Sequence, residues 1–334
     1  MKIRHLGNIC ISFLATMALT GCITEDFDEC PNEYELKIIF DRNMLNADAF
    51  ASQVKSVDVK VFDSDTGREV YSFSDKGTAL EAADYKVALP IPPGSYDILC
   101  WAGMAEGNSF GYADPSADIL EHQNVILNTE EGISRQRLNN LYHGLSKGVT
   151  FIDNNTIGSK QMQTVTLHLT KNTNRIYVML HNLDGTLLQE SDFTFSISSN
   201  NAEMGYDNTL DKGGKVEYKP WHVSPLLAET HISMIPVQSA LGAELSVGRL
   251  TDKTESCLEV HRVSDGEKII SIPLERNLLL YKGEFYSYMS DTDYLDRQDN
   301  YEITFILDKN NNWDKASMIH LNGWSTPPVQ YQEW

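Results

Sequence analysis

The feature that most constrains the fold is an alternation of apolar and polar residues that returns along the chain. In SVDVKVFD, residues 56–63, Val57, Val59 and Val61 point one way, while Asp58 and Lys60 point the other. A period of two indicates a half-buried β-strand. The pattern recurs in YELKIIF, REVYSF, YKVALPI, YDILCWAG, QTVTLHL, RIYVML, DFTFSIS, EITFILD and MIHLNGW. Strands at this spacing predict an all-β protein in which a β-sandwich occurs twice.

A polar stretch divides these strands into two groups. DNNTIGSKQ, residues 153–161, predicts a boundary between an N-terminal β-sandwich at 33–155 and a C-terminal one at 156–334. Helix signals are weak and short. NMLNADAFASQV, residues 43–54, predicts two or three helical turns. TEEGISRQRLNNLYHG, residues 129–144, also has helix signals: a possible Thr129 cap, acidic residues in the first turn and a final glycine.

The N-terminus carries a secretory signal. Lys2 and Arg4 precede an apolar stretch that is shorter than the roughly 20 residues of a membrane-spanning helix, so residues 1–21 predict a signal peptide. LTGC resembles the bacterial lipobox, in which cleavage falls before the cysteine. The resemblance implies that Cys22 becomes the first mature residue and carries lipid, and two or more acyl chains hold a protein firmly at a membrane. The alternative is a simple signal peptide that happens to precede a cysteine.

Acidic residues follow Cys22 and make residues 22–32 a tether. ITEDFDE, residues 23–29, resembles the acid-rich signals behind the lipidated cysteine in surface-exposed lipoproteins of Bacteroidetes, although acidic residues also suit a merely flexible tether. The whole chain has a net charge of −20. Such acidity disfavours nucleic-acid binding, which needs a basic patch, and electrostatic docking on anionic lipid.

Three cysteines remain if Cys10 is removed with the signal peptide and Cys22 carries lipid. Export allows disulfides. Cys30 and Cys100 flank predicted strands of the same half and are the candidate disulfide, with Cys257 left as a lone thiol. The alternative is that all three are small buried apolar residues. The chain has neither CxxC nor paired-histidine spacing, so no metal site is predicted.

The motifs that suggest catalysis or cation binding are incomplete. GLSKG, residues 144–148, matches the G-x-S-x-G elbow, but VTFID follows as a strand where a helix is needed, so Ser146 is not expected to be catalytic. DSDTG and DKNNNWD begin like calcium loops but hold Arg68 and Trp313 where the sharp-turn glycine belongs, so both predict turns. We expect no enzyme activity, cofactor or small-molecule substrate.

Several segments together resemble the FimB/Mfa2 family of fimbrial anchor lipoproteins of Bacteroidales. They are ECPNEYELKIIFDRNMLNADAF, VDVKVFDSDTGREV, PPGSYDILCWAGM, LTKNTNRIYVMLHNLDG, SDTDYLDRQDNYEITFILD and IHLNGW. The resemblance implies two tandem transthyretin-like β-sandwiches and a place at the base of a type V pilus. The protein would sit in the outer membrane by lipid on Cys22, exposed at the cell surface, and would hold the first stalk subunit by strand addition.

Two other functions stay open on the sequence. In stalk subunits of this system the first strand is removed by proteolysis after a basic residue. Arg42 lies near the end of the first predicted strand, so the chain could be a polymerising stalk or tip subunit that is cut near Lys37 or Arg42. A surface glycan-binding lipoprotein is the third possibility. Its groove would need exposed aromatic residues, for which the candidates are Trp101, Trp221, Trp313, Trp324 and Trp334.

Overall fold

The computed structural model describes residues 34–153, 162–182, 186–210, 214–226, 240–283, 285–314, 319–321 and 324–326. The predicted signal peptide, the predicted acidic tether and most of the predicted boundary at 153–161 lie outside these residues. The described part is built mainly of β-strands with a few short helices, as the alternation predicts.

Among the described residues, the first half contains ten strands and one short α-helix. They are β1 (Tyr34–Arg42), α1 (Phe50–Gln53), β2 (Ser56–Asp63), β3 (Glu69–Lys76), β4 (Lys86–Ala88), β5 (Gly94–Ala102), β6 (Phe110–Tyr112), β7 (Val125–Leu127), β8 (Ile133–Ser134), β9 (Tyr142–Phe151) and β10 (Gln163–Lys171).

The described part of the second half contains eleven strands and two α-helices. They are β11 (Thr173–Asn182), β12 (Phe193–Ser199), β13 (Glu203–Met204), β14 (Val216–Tyr218), β15 (His222–Leu226), β16 (Ala240–Gly248), β17 (Cys257–Arg262), β18 (Lys268–Pro273), α2 (Leu274–Leu280), α3 (Asp291–Arg297), β19 (Asn300–Leu307), β20 (Ile319–Leu321) and β21 (Trp324–Thr326).

Seven strands of the first half form one sheet in the order β3-β2-β5-β9-β10-β1-β4. The contact between β9 and β10 is limited to the pairs Thr170↔His143 and Lys171↔Tyr142. Apolar side chains from both sides of this narrow contact meet in one core, which includes Leu36, Val59 and Leu167, each 0% exposed. The sheet therefore encloses its own core, with the alternating apolar residues of each strand facing inward.

The second half has a six-stranded sheet, β15-β16-β11-β19-β20-β21, and a five-stranded sheet, β18-β17-β12-β14-β8. Both sheets contribute to a second core: Val178 and Phe305 come from the six-stranded sheet, and Ile197 and Leu258 from the five-stranded sheet. Trp101, on the outer face of the first sheet, belongs to the same core. Apolar packing is therefore continuous from one half to the other.

The strand pairing also links the two halves. The predicted C-terminal sandwich begins at residue 156, yet β10 pairs in parallel with β1 in the first sheet. The change of sheet accordingly falls at Asn172, between β10 and β11. In addition β8 pairs with β14, and β7 pairs with β13. Each half therefore supplies strands to a sheet of the other.

The helices differ most from the sequence expectations. Residues 129–144 are not helical: Glu131 and Gly132 have φ of +52° and +79°, which a right-handed helix does not allow. Residues 43–54 form only the short α1. The sequence analysis missed α3, although Ser290 caps it by accepting a hydrogen bond from the Asp293 amide at 3.0 Å. None of the helices in the described residues is both long and apolar enough to cross a bilayer.

Candidate functional site

The cysteines proposed as sites are only partly within the described residues. Cys22 and Cys30 lie outside them. Cys100 is 0% exposed in the core of the first sheet, and burial raises the pKa of its thiol well above the ordinary value. Cys257 is half-buried and has Ser271 Oγ 3.6 Å from its sulfur.

The strand register gives the predicted Cys30–Cys100 bond no support. Cys100 pairs with Gly144, and the neighbouring His143 pairs with Thr170, which lies level with Arg42 at the end of β1. Tyr34 starts the same strand at the opposite end of the sheet. A disulfide needs Cα atoms within about 7 Å, and Tyr34 lies nearly the whole length of β1 away from the level of Cys100. The bond itself stays a prediction because Cys30 is not described.

β1 is the strand whose fate separates an anchor from a cleaved subunit. It runs parallel to β10 on one side and pairs with β4 on the other over Glu35–Lys37. Its inward side chains are at most 2% exposed: Tyr34, Leu36, Ile38 and Phe40. β1 is thus an integral part of the first core.

β4 pairs with β1 only over Glu35–Lys37, and the rest of that side of β1 is covered by another segment of the chain. Residues 43–49 fold back along it: the Ala49 amide donates to the Phe40 carbonyl at 2.9 Å, and the Phe40 amide donates to Asp48 Oδ1 at 3.0 Å. Arg297 at the end of α3 then donates to Asn46 Oδ1 at 2.9 Å. Both sides of β1 are therefore occupied, and the covering segment is tied to the second half.

The two proposed cleavage positions lie differently on β1. Lys37 lies inside the strand and forms an ion pair with Asp84 at 3.4 Å. Arg42 ends the strand, is exposed, and its Nη1 donates to Thr170 Oγ1 at 3.4 Å. A cut after Arg42 would release β1 only if the pairing with β10 and the buried side chains were also given up.

Strand addition needs a sheet edge, and the described edge strands differ in what they offer. β4, β8 and β21 have two or three residues each. β15 contains Pro225, which lacks the amide that a ladder requires. β18 has six residues, and its Ile269, Ile270 and Ile272 are at most 7% exposed. β3, with eight residues that alternate between half-buried and exposed, is the longest edge strand of the described part.

The tryptophans proposed for sugar binding are occupied by protein contacts. Trp101 is 0% exposed and donates from Nε1 to the Gln123 carbonyl at 3.0 Å. Trp313 is 7% exposed and packs edge-on against Phe305. Trp221 has the Arg137 guanidinium 5.5 Å above its ring and stacks with His222. The side chain of Trp324 and all of Trp334 lie outside the described residues.

The catalytic and cation motifs have structural roles. Ser146 lies within β9 and pairs with Ile98, so the strand-to-helix elbow is not formed. Asp63 Oδ1 accepts from the amide and the hydroxyl of Thr66, and Asp308 Oδ1 accepts from the amides of Asn310 and Asn312. The two segments that begin like calcium loops are therefore turns closed by their own aspartate. The described residues contain no cluster of three or more His, Cys, Asp or Glu that could hold a metal ion.

Solved structures share this architecture. A Bacteroides thetaiotaomicron protein, provisionally described as an adhesin, is 30% identical, with a TM-score of 0.80 over 91% of this chain and 100% of that one. A second B. thetaiotaomicron protein, provisionally described as polysaccharide-binding, is 25% identical, with a TM-score of 0.74 over 89% and 98%. The fimbrial anchor protein Mfa2 of Porphyromonas gingivalis has the same fold at 16% identity, with a TM-score of 0.68 over 90% and 100%.

The family assignment comes from the sequence comparison. A search of curated proteins finds no match to this chain. Residues 27–327, which include every described strand, match the family of fimbrillin-A associated anchor proteins Mfa1 and Mfa2. The chain therefore belongs to this family of cell-surface fimbrial proteins.

Proposed function

We propose that this protein anchors the base of a type V fimbria in the outer membrane through lipid on Cys22 and holds the first stalk subunit. The observation that carries the proposal is the closure of β1, whose two sides are covered by β10 and by β4 with residues 43–49. A subunit that accepts a partner by losing its first strand needs that strand to leave. A first strand held in this way is expected in a protein that retains the strand after export. Membership of the anchor family supports the same function.

On the anchoring proposal, the direction of β1 determines how the molecule is oriented relative to the membrane. β10 ends at Lys171, two residues before β11 begins, so its end lies at the junction of the halves. β1 runs parallel to β10 and also ends at that junction. Its eight steps at about 3.3 Å each place Tyr34 about 26 Å away, at the far end. The tether therefore joins the end of the first half that faces away from the second half, and the second half points outward from the membrane.

Substitution of the lipid-bearing cysteine tests the anchor. In cells that carry Cys22→Ala, we expect both this chain and its fimbriae to move from the membrane fraction into the medium. Cys10→Ala, which changes a cysteine of the signal peptide, is the matched control and should leave both in place. Retention of the Cys22→Ala chain in the membrane would contradict lipid anchoring.

The mature N-terminus decides between an anchor and a cleaved subunit. Mass spectrometry of the chain from purified fimbriae should find an acylated N-terminal peptide that begins at Cys22. A chain that begins at Asn43, after cleavage at Arg42, would instead identify a polymerising stalk or tip subunit.

A further inference from the structure

The edge of β3 has the properties of a strand acceptor. β3 belongs to a sheet edge: among the described residues Val70–Ser74 pair only with β2, while the Glu69 amide at the start of the strand donates to the Asp118 carbonyl at 2.8 Å. An edge strand of this kind presents unpaired amides and carbonyls. Its middle residues, Val70–Ser74, contain no charge, proline or glycine, which are the usual means of protecting an edge. Valine, tyrosine and phenylalanine in this run also favour extended pairing.

A mainly apolar cleft of about 300 Å³ opens beside this edge. Its floor is a row of facing residues across three strands, Trp101 on β5, Asp58 on β2 and Ser74 on β3. Met104 and Ala105, which follow β5, form its wall. A strand added outside β3 would place side chains on this face next to Ser74.

The polar groups on the floor are already bonded. Asp58 Oδ1 accepts from Ser74 Oγ at 2.9 Å, and Oδ2 accepts from Tyr112 Oη at 2.6 Å. The incoming side chain therefore meets apolar walls and satisfied polar groups, which favour an apolar residue. Lys76, exposed at the end of β3, has no ion-pair partner in the described part of the chain. Its charge complements an acidic residue at the matching end of the incoming segment.

We propose that β3 accepts an extended segment of the first stalk subunit as an added strand, with one apolar side chain of that segment in the cleft beside Trp101 and Met104. The inference rests on the proposed anchoring function and names the surface through which it acts. Backbone hydrogen bonds along Val70–Ser74 supply affinity, while the cleft and Lys76 select an apolar residue and an acidic one.

Hydrogen exchange measures the added strand directly. We expect those amides of residues 70–74 that face away from β2 to exchange more slowly when the full mature chain is bound to purified stalk fibres than when it is free. The strand β18, residues 268–273 of the second half, serves as the internal reference and should not change. Unchanged exchange throughout residues 70–74 in the bound chain would overturn the proposal.

Filling the cleft tests the side-chain pocket. Ala105 is exposed at its wall, so Ala105→Trp should occupy the space while the chain still folds. We expect the amount of this chain recovered with sheared fibres to fall about tenfold or more, as for loss of an interface hot spot. Val263→Trp, on an exposed turn of the second half, is the matched control and should not reduce recovery.

The outcomes separate this surface from the anchoring function. Normal recovery of Ala105→Trp, with an unfolding temperature like that of the wild type, overturns the β3 surface and leaves the anchor standing. Absence of the wild-type chain from the fibres overturns the anchor, and the β3 proposal with it. If the isolated wild-type chain forms a stable dimer and Ala105→Trp makes it monomeric, β3 binds a second copy instead of a stalk subunit.

Discussion

Gly103 shows how a single residue can fix the geometry of this fold. It follows β5 with a φ of +88°, and a Cβ added there would lie 1.8 Å from the Asn140 carbonyl oxygen. Its amide donates to the Ser56 carbonyl at 2.9 Å, and its carbonyl accepts from Asn139 Nδ2 at 2.7 Å. Three segments around the proposed cleft therefore meet at a position that only glycine fits.

Gly103→Ala is accordingly expected to destabilise the protein strongly. Gly266→Ala is the matched control, because Gly266 has a φ of +73° but no atom within 4 Å of its added Cβ. The backbone strain alone costs about 1–2 kcal/mol, and Gly103→Ala should cost at least about 2 kcal/mol more because backbone must move. Urea unfolding measures both, and equal losses would contradict the close approach to Asn140.

Glu275 is a buried carboxyl group with an unusual environment. It is 5% exposed on α2; its Oε2 accepts from the Ser256 amide at 3.1 Å, and its Oε1 has no partner among the described residues. Burial raises its pKa from 4.5 to about 7. The folded protein therefore keeps a proton on Glu275 in a pH range where the unfolded chain has released it.

This proton makes the stability depend on pH. The contribution of protonated Glu275 is fully present below pH 4.5 and is lost as the pH rises to about 7. We expect Glu275→Gln to remove this loss. The difference in free energy of unfolding between wild type and variant should therefore change by about 3 kcal/mol between pH 4.5 and pH 8. Denaturant unfolding over that range provides the measurement. Glu121→Gln, at an exposed carboxyl group of the first half, should follow the wild type, and a Glu275→Gln curve parallel to the wild type would refute the prediction.

At the scale of elements, β1 is expected to be indispensable. Burial of Leu36, Ile38 and Phe40 contributes about 1.5–3 kcal/mol each, which together is comparable with the about 5–15 kcal/mol that holds a domain folded. A chain that begins at Asn43 should therefore fail to give a folded monomer by circular dichroism and gel filtration. A chain that begins at Asn32 loses only the tether and should fold; a folded, monomeric chain from Asn43 would contradict the role of β1.

Elements with one exposed face could be predicted from sequence, and others could not. β2 coincides with the predicted strand at 56–63 because its two faces differ in solvent exposure. β16 is buried along nearly its whole length, so it has no alternation to detect. Residues 129–144 have helix-like ends, but the positive φ of Gly132 and the pairing of β8 with β14 decide their structure.

The candidate site was out of reach of sequence reasoning for a related reason. The segment REVYSF predicts a strand, but its position at an edge depends on which strands lie beside it. The cleft likewise joins Ser74, Asp58 and Trp101 from three strands. Their adjacency follows from long-range pairing, which the period-two pattern does not encode.

At the scale of the whole molecule, the exchange of strands predicts a single unfolding transition. The second half needs β8 and β7 from the first, and its core includes Trp101. Calorimetry should therefore show one peak in which the van't Hoff and calorimetric enthalpies agree. Residues 172–334 expressed alone should not fold, and two separate peaks, or an independently folded second half, would contradict this coupling.

The parallel pairing of β1 with β10 also determines how the molecule carries load. A pull on the chain before Tyr34 draws β1 one way along its axis, while a pull on the second half draws β10 the other way through Asn172. The force then runs along both strands, so the hydrogen bonds from Tyr34 to Ile39 are strained together instead of one after another. Rupture in this shear geometry requires the whole ladder to fail at once, so the pairing of β1 with β10 resists a pull that separates the chain before Tyr34 from the second half.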